Sequence, residues 1–235
     1  NSITWIPEFG QRRELDWLDN MDDWMISKKR YFGLALPIFK CQECGHFDLV
    51  GSETELNERA VEGWDDFEGH SPHRPWLDAV KIVCEQCGAR VPRIADVGNP
   101  WLDAGIAPFS TLGYRHGREY WKDWFPADWI SESFPGQFRN WFYALITMST
   151  VLEDTAPTGT VFSYALMRDE AGEEMHKSTG TAIWFEDAAE KMGVDSMRWV
   201  FARHDPAANI NFGYGSGDEV RRQFIIPLWN VYSFF

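Results

Sequence analysis

Phe138-Arg139-Asn140-Trp141-Phe142-Tyr143-Ala144-Leu145-Ile146 places apolar residues at i, i+3, i+4, i+7 and i+8, which is the spacing of an amphipathic helix. Thr160 to Leu166 follows as a short apolar run with the length of a buried strand. Glu186 to Met192 then predicts a helix that ends at Gly193, and Asp195 is a natural N-cap for the next helix. Helix, strand, loop and helix in this order are typical of an α/β domain with a parallel sheet.

The sequence before this region divides by composition. Residues 1–40 mix aromatic residues with acidic and basic ones, and residues 41–93 are bracketed by two cysteine pairs. Residues 94–135 are rich in Gly, Pro and Trp, which predicts ordered loops more than long helices or strands. We therefore expect a small insertion around the cysteines and an α/β region after residue 136.

The overall composition excludes some classes of protein. The chain has 235 residues, of which 44% are hydrophobic and 25% charged, and a formal net charge of -14. This charge argues against a main nucleic-acid-binding surface, which would normally be basic. No stretch approaches the roughly 18 apolar residues of a membrane span, and no export signal is present. We expect a cytoplasmic protein that does not contact membranes.

Both ends of the sequence suggest a piece of a longer protein. Asn1 is not a methionine. From Phe224 to Tyr232 the apolar residues keep a helical spacing, and neither Gly nor Lys caps this pattern before Phe235. We therefore expect further segments of the same polypeptide.

All four cysteines occur in two Cys-x-x-Cys pairs, Cys41 with Cys44 and Cys84 with Cys87, each followed directly by a glycine. Two such turns can aim four thiolates at one point, which predicts a closed, tetrahedral zinc site with a structural role. Two redox dithiols or two disulfides are the alternatives, and the lack of an export signal favours zinc. Four thiolates need no fifth ligand, so the nearby histidines are expected in surface or packing positions: His46, His70 and His73.

Four blocks of the sequence carry a family resemblance. They are Asp23-Trp24-Met25-Ile26-Ser27-Lys28-Lys29-Arg30-Tyr31-Phe32-Gly33, Asn99-Pro100-Trp101-Leu102-Asp103-Ala104-Gly105, the stretch from Phe125 to Tyr143, and Glu174-Met175-His176-Lys177-Ser178-Thr179-Gly180. In the same order they resemble the Asp-Trp-x-Ile-Ser-Arg-x-Arg-Tyr-Trp-Gly, Trp-Phe-Asp-Ser-Gly, Glu-Gly-x-Asp-Gln-x-Arg-Gly-Trp-Phe and Lys-Met-Ser-Lys-Ser blocks of class I aminoacyl-tRNA synthetases. The spacing after Trp101 and the ending Leu228 to Phe235 favour the isoleucyl-tRNA synthetases.

The resemblance implies an α/β fold: the second half of a class I synthetase nucleotide-binding domain of the Rossmann type. Residues 1–40 would form a catalytic-domain segment, 41–93 a zinc-ribbon insertion, 94–193 the second catalytic half with its nucleotide-binding loop, and 194–235 the start of a helical anticodon-side bundle. It also implies that L-isoleucine is activated with ATP and Mg²⁺ and transferred to tRNA(Ile) by a monomer. The family's His-Ile-Gly-His signature is not in this sequence, so the N-terminal half of the same polypeptide is expected to supply it, and this chain alone is not expected to form the adenylate.

The resemblance also assigns roles to residues. Lys177 would be the catalytic cation that faces the developing charge on the phosphates, and Glu132 would accept hydrogen bonds from the ribose hydroxyls. An apolar pocket wall separates isoleucine from valine by only ~1–3 kcal/mol, which is why this family edits. The ATP and adenylate site would comprise Glu132, Gly136, Gln137, Met175, Lys177 and Ser178. The substrate pocket would comprise Trp101, Asp103 and Trp141.

The sequence departs from the family pattern within these blocks. One extra residue between Glu132 and Gln137 makes Ser133 a competitor for the position of the glutamate. Other family residues are replaced: an Asp by Gly136, the first Lys and first Ser of the loop by Glu174 and His176, and an adenine-side His-Gly pair by Tyr164-Ala165. The loop therefore lacks its first cation.

Alternative interpretations stay open. Lys177 by itself is typical of a solvated surface residue, and Trp141 on an amphipathic helix is typical of a core residue. The replaced loop residues favour a zinc-stabilised binding module that derives from a synthetase and has no catalytic activity. Leucyl or valyl specificity is a further interpretation, because these residues do not distinguish the amino acid on physical grounds.

Overall fold

A computed structural model describes residues 2–235, without the side chain of Thr179. Asn1, one basis for expecting a longer polypeptide, lies outside the described residues. The strands are β1 (Thr4–Ile6), β2 (Ser27–Lys28), β3 (Ile38–Lys40), β4 (Phe47–Leu49), β5 (Ala60–Glu62), β6 (Lys81–Val83), β7 (Arg90–Pro92), β8 (Val97–Gly98), β9 (Ala127–Ser133), β10 (Thr158–Tyr164), β11 (Met167–Arg168) and β12 (Ile210–Asn211).

The helices, like the strands, are numbered in chain order. They are α1 (Phe9–Asn20), α2 (Glu53–Arg59), α3 (Trp64–Phe67), α4 (Pro100–Gly105), α5 (Ala107–Thr111), α6 (Arg118–Trp124), α7 (Phe134–Gln137), α8 (Trp141–Glu153), α9 (Phe185–Met192), α10 (Val194–Ala202), α11 (Tyr214–Val220) and α12 (Ile226–Phe234). Single 3₁₀ turns lie at Trp76–Ala79 and Lys177–Thr179, and a π-helical turn at Arg221–Ile225 joins α11 to α12. Within residues 2–235, no helix is both long and apolar enough to cross a lipid bilayer.

The chain forms two compact units from discontinuous ranges. The first unit runs up to Asp19 and then comprises Trp124–Tyr143 and Thr155–Phe235. The second comprises Asn20–Asp123 and Ala144–Asp154. The four-part division of the sequence stays a prediction, since it concerns domains of a whole synthetase rather than these units.

The first unit is built on a parallel sheet in the order β1-β10-β9. The pairing of β10 with β9 extends from Thr158 opposite Ala127 to Tyr164 opposite Ser133. One face of this sheet buries Val161 against Phe134 and Phe142, with Trp5 packed at its edge. The predicted α/β class is therefore confirmed, and the carboxyl ends of β9 and β10 lie side by side.

A second apolar cluster of this unit holds its helices together. Ala188 and Met192 of α9 pack with Val200 of α10, Val220 of α11 and Phe212, which follows β12. Helices α9 and α10 meet at Gly193, whose φ of +82° is strained for residues other than glycine.

Glu14 of α1 is an exception in the buried part of the first unit. It is 2% exposed, and neither carboxyl oxygen has a hydrogen-bond partner. Burial raises its pKa to about 8, because a low-dielectric surrounding disfavours the charged form. At neutral pH this carboxyl is therefore mainly protonated.

The second unit contains short antiparallel strands around its own core. Hairpin β3-β4 and the β5-β6-β7 sheet enclose a cluster that includes Phe39, Phe67, Ile82 and the cysteines Cys41 and Cys84. Because two of the four cysteines are core residues, the packing of this unit and the geometry of the cysteine cluster depend on each other.

Several element boundaries differ from the sequence prediction. Helix α8 begins at Trp141 instead of Phe138, because the Gln137 side-chain oxygen accepts the backbone N–H of Trp141 at 3.2 Å and α7 occupies the preceding residues. Strand β10 spans residues 158–164 instead of 160–166. The cap of α10 is Gly193, and Asp195 lies in the first turn, where its charge suits the helix dipole.

We expect Gly63→Ala to destabilise the second unit far more than Gly69→Ala. Both glycines have a positive φ, +75° and +78°, so both variants incur a left-handed backbone penalty of ~1–2 kcal/mol. A Cβ at Gly63 would lie 2.0 Å from the Ala79 carbonyl oxygen, whereas nothing lies within 4 Å at Gly69. The expected difference in the free energy of unfolding is ~2 kcal/mol or more, measured by urea denaturation. Equal losses in the two variants would contradict this packing.

Candidate functional site

The second unit brings all four cysteines together. Cys41 and Cys84 lie just after β3 and β6, and the Gly45 and Gly88 N–H groups donate back to their carbonyls at 3.1 and 2.9 Å. Both glycines have a positive φ, +77° and +76°, as the predicted turns require. The two knuckles place Cys41 Sγ 3.5 Å from Cys87 Sγ and Cys44 Sγ 3.6 Å from Cys84 Sγ.

These distances fit one tetrahedral metal ion. All four sulfur atoms lie within 4.8 Å of one another. Sulfur ligands at ~2.3 Å from a tetrahedral zinc would lie roughly 3.8 Å apart. The four cysteines can therefore hold a metal with little movement, and their sulfurs leave no corner of the tetrahedron for water.

Without a cation the thiols hold their protons unequally. The backbone N–H of Cys44 is the main cause that lowers the pKa of the Cys41 thiol to about 7. The Ala89 N–H acts in the same direction on Cys87, but the neighbouring Cys41 thiol and burial outweigh it and raise the pKa of Cys87 to about 12. Four thiolates at this distance therefore need a positive charge among them.

The histidines near the cysteines make contacts outside the four sulfur atoms. The His46 ring lies 3.6 Å from Asp48, whose carboxylate pairs with Arg59 at 2.9 Å. Arg59 also pairs with Glu85 at 3.2 Å, so both carboxylates of this His46, Asp48 and Glu85 cluster already have a guanidinium partner. His70 stacks on Trp76 with ring centroids 3.8 Å apart.

Two of the family-like blocks pair with each other in the second unit. Strand β2 of the first block is antiparallel to β8, which immediately precedes the second block, with Ser27 opposite Gly98. The Asn99 side chain then caps α4 through the Trp101 N–H at 3.0 Å and donates to the Met25 carbonyl at 3.0 Å. Asn99 thereby fixes the helix turn that carries Trp101 and Asp103.

Asp103 has a perturbed environment. Burial raises the pKa of its carboxyl, while the positive charges of His73 and Arg30 act in the opposite direction. Asp103 and Trp101 are both half-buried. A carboxyl between a desolvating wall and two basic groups is suited to hold a polar part of a ligand.

In the first unit, Glu132 lies at the carboxyl end of β9. One of its oxygens accepts the Ser133 N–H at 2.7 Å and the Tyr164 hydroxyl at 2.9 Å. Burial and the Glu132 carboxylate raise the pKa of Tyr164. Sequence reasoning missed this pair, because the two residues are 32 positions apart and only the register of β9 on β10 joins them.

Gln137 and Gly136 lie in the α7 turn that follows. The Gln137 side-chain oxygen caps α8, which fixes the orientation of its amide group. The Gly136 carbonyl accepts from the Asn140 side chain at 2.8 Å, and a Cβ at Gly136 would meet nothing within 4 Å. Trp141 contributes to the aromatic core of the unit and is half-buried there, which agrees with the structural alternative for this residue.

Lys177 opens the 3₁₀ turn of the fourth block. Its Nζ lies 5.0 Å from the centroid of the Trp184 ring, a cation–π contact that sequence reasoning also missed. The loop is closed by the His176 N–H donating to the Thr181 hydroxyl at 2.9 Å, and His176 pairs with Glu174 at 3.5 Å. Met175 is half-buried, while Lys177 and Ser178 are exposed.

A mostly apolar pocket of about 730 Å³ adjoins the end of β10. Ser133 and Tyr164 lie in its wall, so it touches the same strand ends as Glu132. Apart from His204, the remaining wall is aromatic or aliphatic and includes Phe162, Met167 and Phe201. A flat, apolar group with a few polar edges would suit this pocket.

Comparison with known proteins gives consistent matches. Residues 1–213 match the family described as tRNA synthetases class I (I, L, M and V). The chain is 37% identical over 234 residues to the isoleucine–tRNA ligase of Methanothermobacter thermautotrophicus, and 36% identical over 250 residues to that of Methanopyrus kandleri. Each match covers 99% of this chain and 22% of the relative, so the chain spans about a fifth of the length of these curated relatives.

Two solved structures share the fold. LeuRS of Agrobacterium radiobacter, in a ternary complex with tRNA and LeuAMS, aligns with a TM-score of 0.64 at 20% identity over 86% of this chain and 27% of that one. Methionyl-tRNA synthetase of Mycobacterium tuberculosis, in complex with methionyl-adenylate, aligns with a TM-score of 0.57 at 16% identity over 94% and 33%.

We expect the cysteine cluster to bind one metal ion and to lose it in Cys44→Ser. His46→Ala is the matched control, because this neighbouring side chain is not among the four sulfur ligands. A metal at 1,000 times its Kd stabilises the folded form by ~4 kcal/mol, so a chelator should lower the unfolding temperature of the parent and of the control. Metal content by mass spectrometry checks the stoichiometry. An unfolding temperature that a chelator leaves unchanged would contradict a structural metal.

Proposed function

This chain belongs to the class I tRNA synthetases, and from that premise we propose that it is the second half of the catalytic domain of an isoleucine–tRNA ligase. The specificity for isoleucine is supported by relatives that are 35–37% identical over 99% of the chain. The observation that carries the proposal is the pairing of β9 with β10, which sets Glu132 beside Tyr164 at the carboxyl ends of parallel strands. This edge is where open α/β sheets bind their ligands.

The proposed reaction has two steps. The carboxylate of L-isoleucine attacks the α-phosphate of ATP, which forms isoleucyl-adenylate and releases pyrophosphate. A ribose hydroxyl at the end of tRNA(Ile) then attacks the acyl carbon, which forms the ester and releases AMP. Mg²⁺ bound to ATP would neutralise phosphate charge in the first step, and the role of the protein is mainly positioning and electrostatic stabilisation.

Lys177 is proposed as the catalytic cation. Glu174 and His176, which precede it, pair with each other, so Lys177 carries the positive charge that the loop offers to a triphosphate. Its contact with Trp184 is exposed on both sides, with Trp184 52% exposed. A cation–π contact at an exposed site contributes only ~0.5–1 kcal/mol, so the ammonium can leave the ring for a phosphate.

Glu132 is proposed to hold the ribose of the nucleotide. Its Oε1 already accepts from Ser133 and Tyr164, which orients the carboxylate, and its second oxygen can accept from ribose hydroxyls. The Ser133 N–H donates to the Glu132 carboxylate and helps to orient it. This favours Glu132 over Ser133 as the ribose contact. Gly136, Gln137, Met175 and Ser178 complete the proposed adenylate site, and the apolar pocket beside Tyr164 would take the adenine ring.

Trp101, Asp103 and Trp141 are each proposed, residue by residue, to contact the amino acid. The support for Asp103 is its partly buried carboxyl near His73 and Arg30. The support for Trp141 is weaker, because its ring also packs in the core of the first unit. The cysteine cluster is proposed as a structural zinc site, since four sulfur ligands are typical of such sites.

A zinc-stabilised binding module without catalysis is the second candidate function. The pairing of Glu174 with His176 favours it, because these residues stand where the family has a lysine and a serine. Two results together would support the module and contradict the ligase. The native polypeptide would show no isoleucine-dependent pyrophosphate exchange, and Lys177→Ala would bind ATP as tightly as the parent does.

We expect Lys177→Ala in the native polypeptide to lower kcat for isoleucine-dependent ATP–pyrophosphate exchange by ~10²–10³-fold, because a cation at the developing charge is lost. Lys191→Ala is the matched control, since the Lys191 ammonium also lies 5.0 Å from an aromatic centroid, that of Tyr214. The control should keep the parent rate. A similar rate in both variants would remove Lys177 from the reaction.

We expect Tyr164→Phe to raise KM for ATP about fivefold with a smaller change in kcat. The variant loses one hydrogen bond to a carboxylate, worth ~1 kcal/mol or more, and leaves Glu132 less well oriented. Tyr232→Phe, at a side chain that is 73% exposed, is the control. Steady-state exchange kinetics with varied ATP give KM and kcat. An unchanged KM for Tyr164→Phe would show that Tyr164 does not orient Glu132 for ATP binding.

A further inference from the structure

A smaller cavity of the first unit lies on the α1 side of the sheet. It has a volume of about 190 Å³. Its apolar walls come from Pro7, Phe9, Phe134, Pro135, Ala165, Pro206 and Ala207, and its polar lining from Arg13, Ser163, Tyr164 and Asn209. The cavity therefore adjoins the carboxyl end of β10, like the proposed adenylate site.

Ser163 gives this cavity an unpaired polar group. The residue is 1% exposed, and its hydroxyl has no hydrogen-bond partner. Side chains alternate along a strand, so Ser163 points to the same face of β10 as Val161, which packs on Phe134. Phe134 also lines the cavity, and the hydroxyl is therefore on the cavity side. A buried hydroxyl without a partner destabilises the folded state, and a ligand that hydrogen-bonds to it in the cavity would remove that penalty.

Arg13 gives the cavity its charge. Among the described residues that line it, Arg13 is the only charged one, and no carboxylate is present. Arg13 has no ion pair within residues 2–235, although the chain carries a net charge of -14. Asn209 accepts the Leu166 N–H at 3.0 Å through its oxygen, which leaves its NH₂ group as a further donor.

We propose that this cavity is a phosphate-binding subsite. A guanidinium fork, a serine hydroxyl and an amide NH₂ are donors that match phosphate oxygens. Arg13 and Asn209 are exposed at the rim of the cavity, and Ser163 is buried at its base. The identification of the phosphate as one from a substrate rests on the proposed function. Two sources share this chemistry: the phosphates of ATP or pyrophosphate, and a phosphate of the tRNA near its acceptor end.

The two sources are distinguished with Arg13→Gln, made in the native polypeptide. If the phosphate comes from the nucleotide, KM for ATP in pyrophosphate exchange rises about tenfold or more, as expected for one lost charged hydrogen bond. If it comes from RNA, exchange is unchanged, KM for tRNA in aminoacylation rises by that factor, and the salt slope of tRNA binding falls by about one. Arg12→Gln is the control, because Arg12 is adjacent to Arg13 and equally exposed but does not line the cavity.

Ser163→Ala separates ligand binding from packing. With no ligand, removing an unpaired buried hydroxyl should leave the unfolding temperature unchanged or raise it. The same variant should bind pyrophosphate or a short RNA, whichever the parent binds, several-fold more weakly than the parent does. A merely structural role of Ser163 would not produce this opposite pair of effects.

Calorimetry with pyrophosphate or a short RNA tests the subsite by binding alone, without relying on enzymatic activity. Weaker binding of one of these probes to Arg13→Gln but not to Arg12→Gln supports the subsite. This holds even if the parent shows no isoleucine-dependent exchange, because the lack of exchange would overturn only the ligase proposal. If Arg13→Gln matches the parent in both KM values and in binding of both probes, the cavity holds only water and the subsite is wrong.

Discussion

Strand β10 forms hydrogen bonds along both of its edges, to β1 and to β9, and the first unit depends on that double pairing. Parallel strands align their carboxyl ends, and the register sets Ser163 opposite Glu132 and Tyr164 opposite Ser133. Alternation along β10 then sends Ser163 towards the α1 side, while Tyr164 reaches the Glu132 carboxylate. A shift of one residue in this register would exchange the two faces, and would separate the tyrosine hydroxyl from the glutamate and the serine from its cavity together.

The second unit relies on a different constraint. Its strands are two or three residues long, too short to be stable without support. Cys41 and Cys84 are members of the apolar core, and their sulfurs are also members of the cysteine cluster. The same residues therefore serve both the packing of this unit and the proposed metal site. A metal bound there would hold these short strands together, as closed metal sites do in other small folds.

Sequence reasoning succeeded where the signal is local. The two Cys-x-x-Cys-Gly turns, helix α9 ending at Gly193 and the approximate position of β10 follow from residues that are close in sequence. It failed for β9, whose sequence Ala127 to Ser133 is polar and mostly half-buried, because edge strands lack a continuous apolar signal. The Glu132–Tyr164 hydrogen bond and the Arg13–Ser163 cavity were also missed, since each joins residues that only the sheet register brings together.

The contact of Lys177 with Trp184 has an energetic consequence. The lysine is exposed but rests on an aromatic ring, and moving its ammonium away from that ring costs ~0.5–1 kcal/mol, a few-fold in population. Every anion that binds this ammonium meets the same cost, so the contact lowers the affinity of the loop for each of them by the same few-fold factor. The ring therefore sets a threshold of affinity at this loop without selecting between anions.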